Sequence, residues 1–171
     1  MNHILSIILV MVFSPLWPLG ENPRVGDPYI IVNKLSNKLA YIDQGEIQGV
    51  FPIATGKTKT LTPEGEFDIV AKLENPYYIK KNIPGGSAKN PLGTRWIGFN
   101  ARGTDGTKYG IHGTSDPDSI GKYISSGCIR MYKQDIEYLY SHIPIGTKVL
   151  IVSSMRSFAE IAKEKGAISS K

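Results

Sequence analysis

"YGIHGTSDPDSIGKYISSGCIRM", residues 109–131, contains the only cysteine of the chain, Cys128, and one of its three histidines, His112. A single cysteine cannot close an intramolecular disulfide, so this thiol is either a buried structural group or one kept for chemistry. Its neighbours favour chemistry. Gly127 lets the backbone adopt an unusual conformation and lets a ligand approach closely. The irregular turn Ser125–Ser126–Gly127 can converge backbone N–H groups on an anion. Arg130 adds a permanent positive charge that suits a bidentate carboxylate contact or a bracing role. A thiol acts at neutral pH when its pKa is lowered or a base lies within reach. His112 ends the strand-like run "KYGIH" and is the candidate base. Its tautomer needs a third group, which the sequence leaves open between Asp116, Asp118 and a backbone carbonyl. His142 falls at the end of a helical pattern and reads as a surface or capping residue, and His3 precedes the domain.

Outward from this stretch the pattern is β-rich. "YIIVNKL" and "LAYID" flank "SNK" as a hairpin, and "IQGVFPIATG" and "GEFDIVAKL" read as two further strands. "TRWIGFN", "KYGIHG" and "TKVLIV" complete the set. "MYKQDIEYLYSHI" carries Ile136, Leu139, Tyr140 and Ile143 at helical spacing and is stopped by Pro144 and Gly146. "SFAEIAKEKG" reads as a short helix capped by Ser157 and closed by Gly166. Between the fourth and fifth strands lies "ENPYYIKKNIPGGSAKNPLG", a connection long enough to serve as a lid or groove wall. Tyr77, Tyr78, Trp96 and Phe99 read most simply as core residues. Tyr109 is placed either in the core or along the site.

The 171-residue length suits one domain with a real core. The formal charge of +5 favours anionic surroundings. The basic residues are scattered rather than clustered, which argues against a nucleic-acid groove. Residues 1–20 open with the apolar run Ile4–Phe13, too short to span a bilayer and matching a signal peptide or an N-terminal anchor. The expected organisation is therefore an export leader at 1–20, a catalytic domain at 28–152 and a C-terminal helical tail at 153–171.

Beyond residue types and spacing, "IHGT" followed by "DSIGKYISSGCIRM" resembles the signature of the L,D-transpeptidases, the YkuD-type domain of bacterial cell-wall enzymes. "TPEGEF", "NPLGTRWIGF" and "IPIGTKVLI" extend the resemblance over roughly Pro28 to Val152. It implies a mainly β fold, a sandwich or partly closed barrel of mixed strands with one or two short helices. It also implies Cys128 as nucleophile, His112 as general base, and the Gly113 carbonyl orienting the imidazole. The backbone amides around Gly127 and Cys128 would form the oxyanion hole, and Ser125 matches the Ser/Thr position of the signature. Arg130 is a candidate for holding donor carboxylate, and Tyr109 for lining the site. Many members carry histidine where this chain has Ser126, which implies altered tuning of donor preference.

The implied reaction is acyl transfer on peptidoglycan tetrapeptide stems. A thioester forms with loss of D-alanine, and an amine resolves it to give a cross-link or D-amino acid exchange. Water as acceptor would give an L,D-carboxypeptidase. The resemblance implies no metal and no organic cofactor, an exported location near anionic wall polymers, and acylation by carbapenems. A reactive Cys128 of depressed pKa is expected. A sortase-like enzyme would need a Thr-Leu-x-Thr-Cys string and a wider His–Cys separation. A papain-like peptidase would place cysteine before histidine. A catalytically idle wall-binding module of the same fold is the remaining alternative.

Overall fold

The computed structural model describes residues 23–170, so the leader expected over residues 1–20 lies outside the described residues. Among the described residues nine strands form one sheet: β1 (Tyr29–Asn33), β2 (Lys38–Asp43), β3 (Glu46–Gly56), β4 (Gly65–Glu74), β5 (Arg95–Phe99), β6 (Gly110–His112), β7 (Tyr123–Ser125), β8 (Ile129–Met131) and β9 (Lys148–Val152). Two α-helices accompany them, α1 (Lys133–His142) and α2 (Phe158–Glu164). The strand order is β2-β1-β9-β4-β5-β6-β8-β3-β7, and an additional β2–β3 pairing joins the ends of the first eight. The sheet is thus a closed eight-stranded barrel with β7 appended to β3. Closure removes the unpaired edges that a sandwich would have to protect.

The pairings are mixed: β1–β9, β6–β8 and β3–β7 run parallel, and the others antiparallel. Every residue of β1 is buried because both of its faces are covered. Ile30 and Val32 point into the barrel cluster with Ile53, Ile69, Ile97, Ile111, Ile129 and Val149. Tyr29 and Ile31 point outward into a second cluster with Ile161, Ala162 and Ala167 of the α2 region. The period-2 alternation of strand side chains therefore feeds two cores from one strand. The helix α1 lays Ile136 and Leu139 into the barrel cluster. Its last turn holds His142, whose Nδ1 lies 2.8 Å from the Tyr138 carbonyl, an exposed helix-end position as expected.

Ser157 starts α2 with a reciprocal capping box: its Oγ accepts from Glu160 N, and the Glu160 carboxylate accepts from Ser157 N at 2.7 Å. Gly166 closes the helix at φ 77°. The strands β7 and β8, three residues each, lie where the sequence reads as an irregular approach to the first helix.

Candidate active site

The strands β6 and β8 bring the candidate residues together. Their parallel register pairs Ile111 with Ile129 and His112 with Arg130. Ile111 and Ile129 are fully buried in the barrel. Alternation then turns His112 and Arg130 to the outer face. Cys128 immediately precedes β8, and the same register continued by one step sets it opposite Gly110. The thiol is partly exposed. The parallel pair β6 and β8 thus brings the two residues singled out in the sequence together, His112 on β6 and Cys128 at the entry to β8.

His112 is held on several sides. Its Nδ1 donates to the Gly113 carbonyl at 2.6 Å, the orienting contact that the sequence left open between that carbonyl and an aspartate. Asp116 and Asp118 are exposed beside a short 3-10 turn, away from this role. Trp96 of β5, paired in register with His112, stacks on the imidazole at 5.5 Å between ring centres and 14° between planes. Burial pushes the imidazole pKa down to about 4; the carbonyls of Gly113 and Leu92 pull it upward, and the Arg130 charge pushes it down further. At neutral pH His112 is therefore an uncharged imidazole with its proton on Nδ1 and its Nε2 lone pair available.

The turn before Cys128 is built by Ser125. Its Oγ donates to the Cys128 carbonyl at 2.5 Å and accepts from the Gly127 amide at 3.1 Å. Gly127 has φ 130°, and a Cβ there would sit 2.6 Å from the Leu61 carbonyl oxygen, so the position requires glycine. The Gly127 N–H is thereby committed to Ser125, which corrects the expectation that it serves the oxyanion hole. The Cys128 N–H is the remaining donor of that pair. Burial pushes the Cys128 thiol pKa up, opposed by the Gly110 N–H and by the charges of Lys80 and Arg130. The depressed pKa expected for this thiol is thus not what its surroundings produce. The thiol donates to the Lys108 carbonyl, with Sγ 3.5 Å from its oxygen.

A cavity of about 560 Å³ opens at the thiol, lined by Cys128 together with Pro76, Tyr77, Tyr78, Leu92 and Trp96. The long connection after β4 forms its wall, and this wall is braced. Asn75 N–H donates to the Thr94 carbonyl at 2.8 Å across its root, and Thr94 Oγ1 donates to Glu137 of α1 at 2.7 Å. The buried Asn90 side chain donates to the carbonyls of Pro76 and Pro84 and accepts from Leu92 N–H. Gly93 lies against Gly113 so closely that a Cβ on it would sit 2.7 Å from the Gly113 Cα, which locks the end of the wall onto the imidazole's neighbour.

Tyr77 and Tyr78 line the cavity instead of the core, and Trp96, although only 6 % exposed, belongs to the site as much as to the core. Tyr109 is the reverse case. It is 5 % exposed, sits in the barrel cluster and stacks on Phe99, so it supports the site from beneath Gly127 and offers no substrate surface. Ser126 is exposed at the turn. Arg130 has no carboxylate partner among the described residues. No group of three or more His, Cys, Asp or Glu side chains is placed to hold a metal ion among the described residues.

The arrangement is matched by known proteins. The family model of the YkuD L,D-transpeptidase catalytic domain matches residues 27–151. The chain is 59 % identical over 160 residues to YqjB of Bacillus subtilis, which bears an L,D-transpeptidase name, covering 94 % of this chain and 91 % of that protein. It is 38 % identical over 134 residues to YkuD of Bacillus subtilis, covering 75 % of this chain and 71 % of that one. Among solved structures, the catalytic domain of the Enterococcus faecium L,D-transpeptidase acylated by ertapenem superposes with a TM-score of 0.56 at 26 % identity, covering 75 % of this chain and 99 % of that domain. The avibactam carbamoyl enzyme of Ldtfm gives a TM-score of 0.61 at 27 % identity, covering 76 % of this chain and half of that one. With its barrel, its ordered motifs and a family match over most of its length, the chain belongs to the YkuD family of L,D-transpeptidase catalytic domains.

Proposed function

We propose that this chain is a cysteine-dependent L,D-transpeptidase acting on peptidoglycan tetrapeptide stems, with Cys128 as nucleophile and His112 as general base. The observation that carries the reading is the Nδ1–H bond of His112 to the Gly113 carbonyl, which leaves Nε2 unprotonated on a residue of β6, the strand that pairs with β8 immediately after Cys128. Because burial raises the thiol pKa and depresses that of the imidazole, the pair rests in its neutral form. Proton transfer then accompanies attack, as general-base catalysis requires.

In the first half-reaction Sγ bonds to the carbonyl carbon of the third stem residue while His112 takes the thiol proton. The Cys128 N–H stabilises the oxyanion. Collapse breaks the peptide bond to the terminal D-alanine, whose nitrogen receives the proton from His112, and a thioester remains. In the second half-reaction an amine attacks the thioester, His112 accepts its proton, and the thiol is restored. A stem amine gives a cross-link, a free D-amino acid gives exchange, and water gives carboxypeptidase activity. Ser125 shapes the turn and Arg130 is available to a donor carboxylate. Peptidoglycan lies outside the cytoplasmic membrane, and the apolar run Ile4–Phe13 and the +5 charge are consistent with export toward an anionic wall.

Intact-mass spectrometry of wild type and Cys128→Ala, mixed with a tetrapeptide-stem muropeptide and separately with a carbapenem, tests the assignment. An adduct on wild type alone, with D-alanine release and a dimeric muropeptide, is the expected result. D-alanine release without a dimer would assign hydrolysis. Folded wild type that forms no adduct with either reagent would overturn the catalytic reading in favour of a wall-binding module.

A further inference from the structure

The cavity beside Cys128 has a mixed lining. Leu73, Ile79 and Trp96 are apolar, Lys80, Thr107 and Lys108 are cationic or polar, and no aspartate or glutamate lines it. Neither Lys80 nor Lys108 has a carboxylate partner among the described residues, although five other cationic side chains do. The backbone that carries Lys80 is tightly shaped. A single 3-10 turn, Ile79–Lys81, is closed by paired backbone bonds between Tyr78 and Ile83 and ended by Asn82 at φ 54°. The Tyr77 hydroxyl donates to the Asn82 side chain, which ties this tip to the cavity wall. Lys81, the next residue, does not line the cavity. A cleft lined by one sign of charge beside an apolar wall concentrates the field on whatever enters it.

We propose that Lys80 and Lys108 form a carboxylate-recognition subsite for the acyl donor, so that this cavity selects stem peptides with free carboxyl groups over stems whose carboxyls are carboxamides. The inference rests on the transpeptidase reading of Cys128 and adds the donor chemistry to it. An ammonium on each side chain meets a carboxylate as a point charge, without the planar match that Arg130 offers. A carboxamide loses the charge while keeping nearly the same shape, so the two donors differ in the one property that the lysines read. The influence of Lys80 on the thiol is consistent with its place near the reacting atoms.

The test is calorimetric titration of a free-carboxylate tetrapeptide stem and of its carboxamide analogue into the unreactive Cys128→Ala protein. Each titration is repeated with Lys80→Gln, Lys108→Gln and Lys81→Gln added, and acylation by both donors is followed by intact mass with Cys128 in place. Lys80→Gln and Lys108→Gln are each expected to weaken the free-carboxylate peptide about fivefold, the factor set by the upper end of an exposed ion pair, and to leave the carboxamide unchanged. Lys81→Gln, equal in charge lost, is expected to change neither, and Lys80→Arg to restore most of the affinity. Equal losses for both peptides, or an effect of Lys81→Gln as large as that of Lys80→Gln, overturn the subsite. Acylation of wild type by both donors without discrimination also overturns it while leaving the transpeptidase reading intact. Charge-selective binding that depends on Lys80 but never yields an acyl adduct upholds the subsite and overturns the transpeptidase reading instead.

Discussion

Burying His112 in neutral form makes the stability of the barrel depend on pH. The side chain is 4 % exposed, and its pKa falls from 6.5 to about 4. At ~1.36 kcal/mol per pH unit this corresponds to about 3 kcal/mol between the folded and unfolded chains. Because the folded value is the lower one, the unfolded chain binds the proton first on acidification. The contribution is complete above about pH 6.5, is lost as the pH falls from there to about 4, and changes no further below that. Urea unfolding of wild type and of His112→Asn, which keeps a donor for the Gly113 carbonyl, isolates this group from the carboxylates that titrate in the same range. Between pH 7.5 and 4.5 wild type is expected to lose about 2–3 kcal/mol more than the variant. Identical losses in the two proteins, or an NMR titration of His112 with its midpoint near 6.5, would refute the reasoning. The same neutral imidazole keeps its capacity as a base down to about pH 4.

Three further outcomes follow from the turn and the cavity wall. Gly127→Ala puts a Cβ 2.6 Å from the Leu61 carbonyl oxygen at φ 130°, and is expected to cost about 1–3 kcal/mol in thermal or urea melts and to reduce acylation sharply. Ser125→Ala removes both contacts of its hydroxyl; acylation by a carbapenem is expected to slow by an order of magnitude or more, for about 1–2 kcal/mol of stability. A rate within twofold of wild type would show that the turn holds its shape without that hydroxyl. Asn90→Ala deprives the wall of its buried hub and is expected to cost about 1–3 kcal/mol and to open residues 75–92 to limited proteolysis, while the barrel core keeps its slow amide exchange.

The parts of this structure that are legible in the sequence are those whose physics is local. Strands such as Tyr29–Asn33 and Lys148–Val152 declare themselves by unbroken β-branched and aromatic runs, and α2 by Ser157 and Gly166 at its two ends. The strands β7 and β8 are not legible, because "YIS" and "IRM" are too short to show a period and form only by pairing with β3 and β6. Barrel closure depends on the β2–β3 pairing, which a hairpin reading alone does not distinguish from an open sheet. At the site, the Gly113 carbonyl is marked only by the family resemblance, while Cys128 and His112 are marked by residue type. Trp96 is not, since an aromatic side chain with one face on an imidazole has the same pattern as one buried in a core. Tyr109, which the sequence leaves open between the core and the site, packs its ring under Gly127, a choice that only the folded turn makes. The committed Gly127 amide is a matter of which acceptor Ser125 supplies, and only the folded turn reveals it.

The closed strand order has a consequence for how the enzyme is presented. In the ring β2-β1-β9-β4-β5-β6-β8-β3, β6 with His112 and β8, which Cys128 precedes, stand across the cylinder from β1 and β9, whose outer face α2 covers. After α2 the chain returns at Gly166 so near Pro23 that a Cβ added there would lie 3.7 Å from the Pro23 carbonyl oxygen, and the two ends of the described residues are neighbours on that rear wall. The wall that α2 covers is thus the one opposite His112 and Cys128 in the ring of strands. The two neighbouring ends make the barrel a candidate for circular permutation with a new opening elsewhere on it.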